Sequence, residues 1–384
     1  MSELTPHPIA ASAERLDDLR RRLDATRWPP REPVDDWSQG VPLARLQALC
    51  AYWRDSYDWR RCETLLNGWA PQQTTIDGLT IRFFEIRSPE AGAVPVVMTH
   101  GWPGSPLDFR HVVGPLTDPR AHGGDPSTAL HLVLPFLPGH GASGQPAETG
   151  WDLARTGRAW IELMNRLGYG SRWAAHGGDW GAAVALAIAR QEPAGFLGAH
   201  ITGALTFPTP DEVRDADEAE QAMLADAGRF QQDGSAYYAL QSTRPQTIGY
   251  ALADSPSGQA AWIYEKLHEW TDHDGDVEEL LPRDEILDVI TTYWLTNSAA
   301  SSARLYWEGL GDLADGRQVT VPTAFSMFPR EMMRASRRWT ERVFSTIVHW
   351  GEPARGGHFP AWEQPSIFID EVRAAVRALA QASS

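Results

Sequence analysis

The sequence predicts an α/β fold, in which a mostly parallel central sheet carries helices on both faces, a helical segment interrupts it late, and a helical extension precedes it. Three observations lead there. Short apolar strands alternate with helical stretches between about residues 96 and 189, the pattern of strand–helix–strand units whose strands run parallel. Near Phe207 this alternation gives way to acidic helical sequence that lasts to about Leu313, after which strands resume at 319–326 and 345–350. Between a strand and a helix sits Gly177-Gly178-Asp179-Trp180-Gly181, the form of a sharp turn that lifts one side chain clear of the sheet.

Taken in order, residues 1–72 form a helical, tryptophan-bearing extension. Leu16, Leu19 and Leu23 share one helical face and Leu43, Leu46, Leu49 and Trp53 another, with Pro29-Pro30 between them. Residues 73–206 are the first part of the core. They open with a hairpin from Thr74 to Ile86 around Asp77-Gly78, a strong two-residue turn signal. Strands follow at Val96–Thr99 and Leu130–Leu134, then a helix with Leu153, Trp160, Leu163 and Leu167 on one face, closed by Gly168. A short strand, Arg172–Ala175, leads into the glycine turn, and the helix 182–189 behind it is apolar all round and therefore buried. Residues 207–314 read as an inserted helical cap and 315–384 as the rest of the core, ending in a helix with Phe368, Val372, Val376 and Leu379 on one face.

Composition narrows the function. A chain of 384 residues with 42% hydrophobic residues can bury a large core, and its formal charge of −16 disfavours nucleic acid and anionic membranes as partners. Cys50 and Cys62 are the only cysteines and no run of about 18 apolar residues occurs, so a reduced, cytoplasmic setting is expected.

The glycine turn has an aspartate where such elbows usually carry serine. Small flanking residues are required because the nucleophile's backbone is strained and crowded, and Gly177 and Gly181 supply them. Partners should follow in the order nucleophile, acid, histidine. His358, in a glycine-rich loop after the last strand, is the expected base. Glu331 after the preceding strand is the favoured orienting acid, with Asp312, Asp315 and Glu352 as competitors. Two backbone N–H groups should hold the oxyanion. Trp180 follows the nucleophile and Trp102 lies in His100-Gly101-Trp102-Pro103-Gly104, directly after an early strand. A late interruption of the sheet and an elbow of this kind belong to the α/β-hydrolase architecture.

At this point the motifs carry a resemblance. His100-Gly101-Trp102-Pro103-Gly104-Ser105, Gly178-Asp179-Trp180-Gly181 and Arg355-Gly356-Gly357-His358-Phe359 resemble those of α/β-hydrolase epoxide hydrolases of the microsomal type. Arg27-Trp28-Pro29, Tyr57-Asp58-Trp59-Arg60 and Ile76-Asp77-Gly78-Leu79 are similar to the N-terminal domain of that branch. The likeness spans nearly the whole chain. It implies two activating tyrosines: Tyr237, four residues before Gln241 and with Tyr238 as its neighbouring alternative, and Tyr306.

The implied reaction suits these residue types. Asp179 attacks an epoxide carbon and forms an alkyl ester, a tyrosine protonates the departing oxygen, and His358 held by Glu331 then activates water against the ester. The expected partners are a small-molecule epoxide and water, with no cofactor and no metal. A homodimer is compatible with the sequence. An antibiotic pathway of the enediyne type and general detoxification are both open as settings. The enzymatic rival is a haloalkane dehalogenase, which uses the same aspartyl ester, and the rival of another class is an inactive hydrolase-fold binding protein.

Three further patterns fail as sites. Gly139–Gly144 fits a dinucleotide fingerprint, but Gln145-Pro146 follows in place of a helix. Ser143 lacks the second flanking glycine of a serine elbow. Asp272, Asp274 and Asp276 lack the glycine and terminal glutamate of a calcium loop, so this stretch reads as a solvated turn.

Overall fold

The computed structural model describes residues 4–309 and 317–383. Its centre is a nine-stranded sheet in the order β1-β2-β3-β5-β4-β6-β7-β8-β9. The strands are β1 (Thr5–Pro6), β2 (Pro71–Ile76), β3 (Leu79–Ile86), β4 (Val94–Thr99), β5 (Leu130–Pro135), β6 (Trp173–Gly178), β7 (Phe196–Thr202), β8 (Thr323–Ser326) and β9 (Ile347–Gly351). From β5 across to β9 every neighbouring pair is parallel, while β1, β2 and β3 add an antiparallel edge. The expected α/β class is therefore present, with the hairpin turning at Asp77-Gly78 as its sequence demands.

Register explains where a site can form. Thr99 lies opposite Gly177, Gly178 opposite Thr202, Thr202 opposite Ser326, and Ser326 opposite Gly351. Five carboxyl ends are thus level, and the loops leaving them converge on one edge, where open parallel sheets hold their ligands.

Several elements depart from expectation. β7 is an additional strand, and its glycine and histidine broke the apolar run that would have revealed it. Gly198 has φ +135° and packs so tightly on β8 that a Cβ would stand 2.0 Å from the Pro322 carbonyl oxygen. His200 is fully buried because the interior supplies it with partners. β8 begins at Thr323, and Val319 makes only an isolated bridge to Phe344. The helix after the elbow starts at Trp180.

Beneath the elbow runs a buried polar chain. Ser326 Oγ donates to Glu371 (2.6 Å), so its oxygen must accept from His200 Nε2 (3.0 Å); His200 Nδ1 then accepts from His176 Nδ1 (3.1 Å). This direction fixes both tautomers. Burial pushes His176 down to about 3 and His200 well below its ordinary value, so both rings are neutral.

Helices Ala13–Asp24, Leu43–Asp55 and Trp59–Gly68 form the front extension. It is pinned at Asp288, a fully buried carboxylate on helix Arg283–Thr296. Tyr57 (2.8 Å), Arg61 (2.6 Å) and, from the loop after β4, Arg110 (2.7 Å) all donate to it. Three segments distant in sequence therefore meet on one charge, whose burial is tolerable only while those donors remain. Between β7 and β8 the described residues contain helices and no strand, as the acidic helical sequence suggested.

Candidate active site

Asp179 stands at the end of β6 with φ +51° and ψ −129°, a backbone state that side chains seldom adopt. Close packing makes that state obligatory. A Cβ on Gly177 would come 2.1 Å from the backbone of Gly181, and one on Gly181 would come 2.0 Å from the Thr99 carbonyl. The strand, turn and helix are pressed together, and the aspartate projects outward.

Its carboxylate meets the first loop at once. The Trp102 N–H donates to Asp179 Oδ1 at 2.8 Å, and the Trp180 N–H, next in the chain, also favours the ionised carboxylate. Burial pushes the Asp179 carboxyl up, while His358 and those two N–H groups pull it back. His358 Nε2 lies 3.6 Å from Asp179 Oδ2. On its other side, His358 Nδ1 is 2.9 and 3.0 Å from the two oxygens of Glu331. Burial alone would lower the imidazole, yet Glu331 and Asp179 outweigh it and raise His358 to about 9. Both acidic neighbours thus favour the protonated ring at rest.

Glu352 accepts instead from Trp350 Nε1, while Asp312 and Asp315 lie outside the described residues.

Tyr237 and Tyr306 come from helices Ala236–Thr243 and Ala299–Glu308 and cover the carboxylate from above. Tyr237 is stacked on Trp102 at 5.3 Å and 9°, and Tyr306 stands edge-on to Trp180 at 4.8 Å and 85°. Both phenols are raised well above 10, first by burial and, among other causes, by Asp179, so they stay protonated. Among the described residues the Tyr306 hydroxyl has no partner in hydrogen-bond geometry, with Tyr237 and Trp180 beside it. Tyr238 is half-exposed to the same space, 5.5 Å from the Tyr306 ring, but does not stack on Trp102. Together these residues enclose a cavity of about 270 Å³, walled mostly by apolar side chains such as Leu205, Phe207, Phe230 and Met333.

Comparisons with known proteins give the family and the fold. Residues 4–109 match the family described as epoxide hydrolase N terminus, and residues 94–252 match the alpha/beta hydrolase fold. Epoxide hydrolase 1 of Sus scrofa is 32% identical over 403 residues, covering 96% of this chain and 88% of that protein. A Stigmatella aurantiaca (strain DW4/3-1) protein, assigned to the epoxide hydrolases by name, is 53% identical over 376 residues, covering 98% and 85%. The chain belongs to the epoxide hydrolase family. Among solved structures, the Aspergillus niger epoxide hydrolase superposes with a TM-score of 0.87 at 30% identity, covering 98% of this chain and 97% of that one. The juvenile hormone epoxide hydrolase of the silkworm Bombyx mori gives 0.90 at 27%, covering 100% and 96%. The fold is thus the α/β-hydrolase fold in its microsomal epoxide hydrolase form, and the enzyme is an epoxide hydrolase. No helix among the described residues is long and apolar enough to cross a membrane.

Within this epoxide hydrolase, sequence reading overlooked residues that hold the histidine loop. Glu363 is buried and accepts from the N–H groups of Gly357 (2.9 Å), Phe359 (2.7 Å) and Asp272 (2.7 Å). Asp272 corrects the expectation of a solvated turn. It is buried and accepts from Gly356 N–H at 3.0 Å because the loop bearing His358 folds over it. Neither acid sits in a motif, and only the fold brings them to their backbone partners. Lys266, the sole lysine, is also buried, paired with Glu265 and Glu269, with its Nζ 5.0 Å from the centre of the Tyr237 ring. The rejected patterns are structural: Ser143 Oγ donates to the Phe136 carbonyl at 2.8 Å and lines neither this cavity nor its neighbour.

Proposed function

We propose that the enzyme opens its epoxide through an aspartyl ester, with Asp179 as nucleophile, Tyr237 and Tyr306 as proton donors, His358 and Glu331 as the hydrolytic pair, and the N–H groups of Trp102 and Trp180 as the oxyanion hole. The helices in residues 207–314 act as the cap that carries the tyrosines. The observation that carries this reading is the convergence of a carboxylate, two protonated phenols and a His–Glu pair around one mostly apolar cavity. An epoxide seated there would have its carbon near Asp179 and its oxygen under the tyrosines.

Charge changes put the steps in order. Attack turns the Asp179 carboxylate into a neutral ester, which removes one charge that disfavours ionising the tyrosines. The phenols become better acids as the alkoxide forms. The same loss removes one of the charges that hold His358 protonated. Its affinity for a proton falls, so the ring passes its proton to the phenolate left by ring opening and becomes the base that activates water. The oxyanion of the ester then rests where Asp179 Oδ1 already accepts the Trp102 N–H.

The decisive experiment is a His358→Gln variant mixed with an aryl epoxide and examined by peptide mass spectrometry. An adduct should accumulate on the peptide bearing Asp179. Turnover by the parent with no such adduct in the variant would overturn the reading. Styrene oxide and a bromoalkane offered in parallel separate the two ester chemistries: diol formation is expected from the first, and halide release without any diol would favour dehalogenation.

A further inference from the structure

Behind the Asp179–His358 pair lies a second, smaller chamber of about 40 Å³. Asp179, His358 and Thr202 belong to the walls of both spaces, whereas the tyrosines line only the front one and Asp108, His176 and Gly178 only the rear. The reacting pair is therefore a partition between two compartments. A volume of this size holds roughly one to three waters, and water occupies such a space when it finds about 2–4 polar partners. The rear walls offer them in Asp108, Thr202 and His176. The hydrogen-bonded chain from Glu371 commits the Nδ1 proton of His176 to His200, which leaves its Nε2 as an acceptor.

Asp108 has no part in the ester chemistry described above. It is a buried carboxylate whose Oδ1 accepts the Ser105 N–H at 3.2 Å. Burial pushes it up to about 7, with Arg110 and His358 pulling down and Asp179 pushing up; Tyr293 is the other titratable group facing it. Arg110 does not neutralise it, because its Nη1 is held by Asp288 at 2.7 Å. Esterification of Asp179 discharges the neighbour that opposes Asp108's ionisation. A stronger acceptor thus arises behind the ester when water is needed.

We propose that the rear chamber holds the hydrolytic water and that Asp108 is its positioning residue, so that the epoxide's carbon skeleton and the water reach Asp179 from separate compartments. This rests on the aspartyl-ester reading. One water O–H points to His358 Nε2 and the other to Asp108, which leaves a lone pair for the ester carbonyl carbon. The new carbon–oxygen bond pushes the carbonyl electron pair onto the oxygen held by Trp102 and Trp180. Collapse of that oxyanion breaks the bond to the alkyl oxygen, which takes the proton from His358 and leaves as the diol. The second water proton, left on Asp179 as its carboxylic acid, passes to His358, which restores the carboxylate and the protonated ring.

The test is single-turnover kinetics of an Asp108→Asn variant with an aryl epoxide, following ester formation and ester hydrolysis separately. Asparagine keeps the acceptor for Ser105 and removes the charge. Ester formation should stay within about twofold of the parent, hydrolysis should slow by about 10- to 100-fold, and KM should fall with kcat as ester accumulates. Hydrolysis at the parental rate would overturn the proposal while leaving the aspartyl ester intact; a parent that never forms an ester would overturn both. Should the variant fail to fold, Thr202→Val changes the rear wall beside Gly178, where a Cβ on the glycine would stand 2.6 Å from Thr202 Oγ1. It too should slow hydrolysis selectively, by about tenfold, and an unchanged hydrolysis rate in that variant overturns the proposal.

Discussion

The sheet side of the cavity and the helical side hold their functional groups by different means. On the sheet side Asp179 and His358 are fixed by directed hydrogen bonds, from Trp102 N–H at 2.8 Å and to Glu331 at 2.9 Å. On the helical side Tyr237 and Tyr306 are held by ring packing, and among the described residues the Tyr306 hydroxyl has no partner in hydrogen-bond geometry. A buried hydroxyl without a partner costs stability, on the order of 1–3 kcal/mol. That cost makes sense where the partner arrives with the substrate. On the proposed reading, the floor is satisfied before the epoxide binds and the roof is completed by it.

The largest effect should come from the floor. Asp179→Ala is expected to lower kcat/KM by at least ~10⁴-fold with little change in melting temperature; diol formation at more than a hundredth of the parental rate would remove the aspartate from the chemistry. Next comes the roof. The double variant Tyr237→Phe/Tyr306→Phe should lose about 10³-fold, mainly in the rate of ester formation under single-turnover conditions, while either single change costs less because the other phenol remains. Equal losses from one and from both would mean that a single tyrosine donates. Smallest, and a test of preorganisation itself, is Gly101→Ala. A Cβ there would lie 2.3 Å from Asp179 Cβ, so the nucleophile must move. A displacement near 1 Å is worth roughly 10²-fold, and an unaltered kcat would show the floor to be more pliant than its hydrogen bonds suggest.

The same contrast governs what could be read from the sequence. Floor residues sit in short motifs whose glycines answer to local crowding, so Asp179, Trp102 and His358 stood out without a structure. Tyr237 and Tyr306 did not, since a half-buried tyrosine on a helix has no local signature, and they were found only by resemblance to a family. β7 was missed because Gly198 serves packing against Pro322 and His200 serves a buried polar chain, neither of which leaves an apolar pattern. Glu363 and Asp108 were passed over, and Asp272 was misread as part of a solvated turn, for another reason. Glu363 and Asp272 act on the backbone of distant segments, and Asp108, tied locally to Ser105, faces a chamber that only the folded chain encloses.

Trp102 has a place in both halves, since its amide holds the carboxylate and its indole lies flat on Tyr237. For anyone reshaping the cavity, this is the position at which shape and reactivity cannot be varied separately. A library that widens the space there will also disturb the support of the Asp179 carboxylate and the seat of Tyr237. Phe207, Phe230 and Met333 line the same cavity without either duty, and selectivity can be rewritten there with the chemistry left in place.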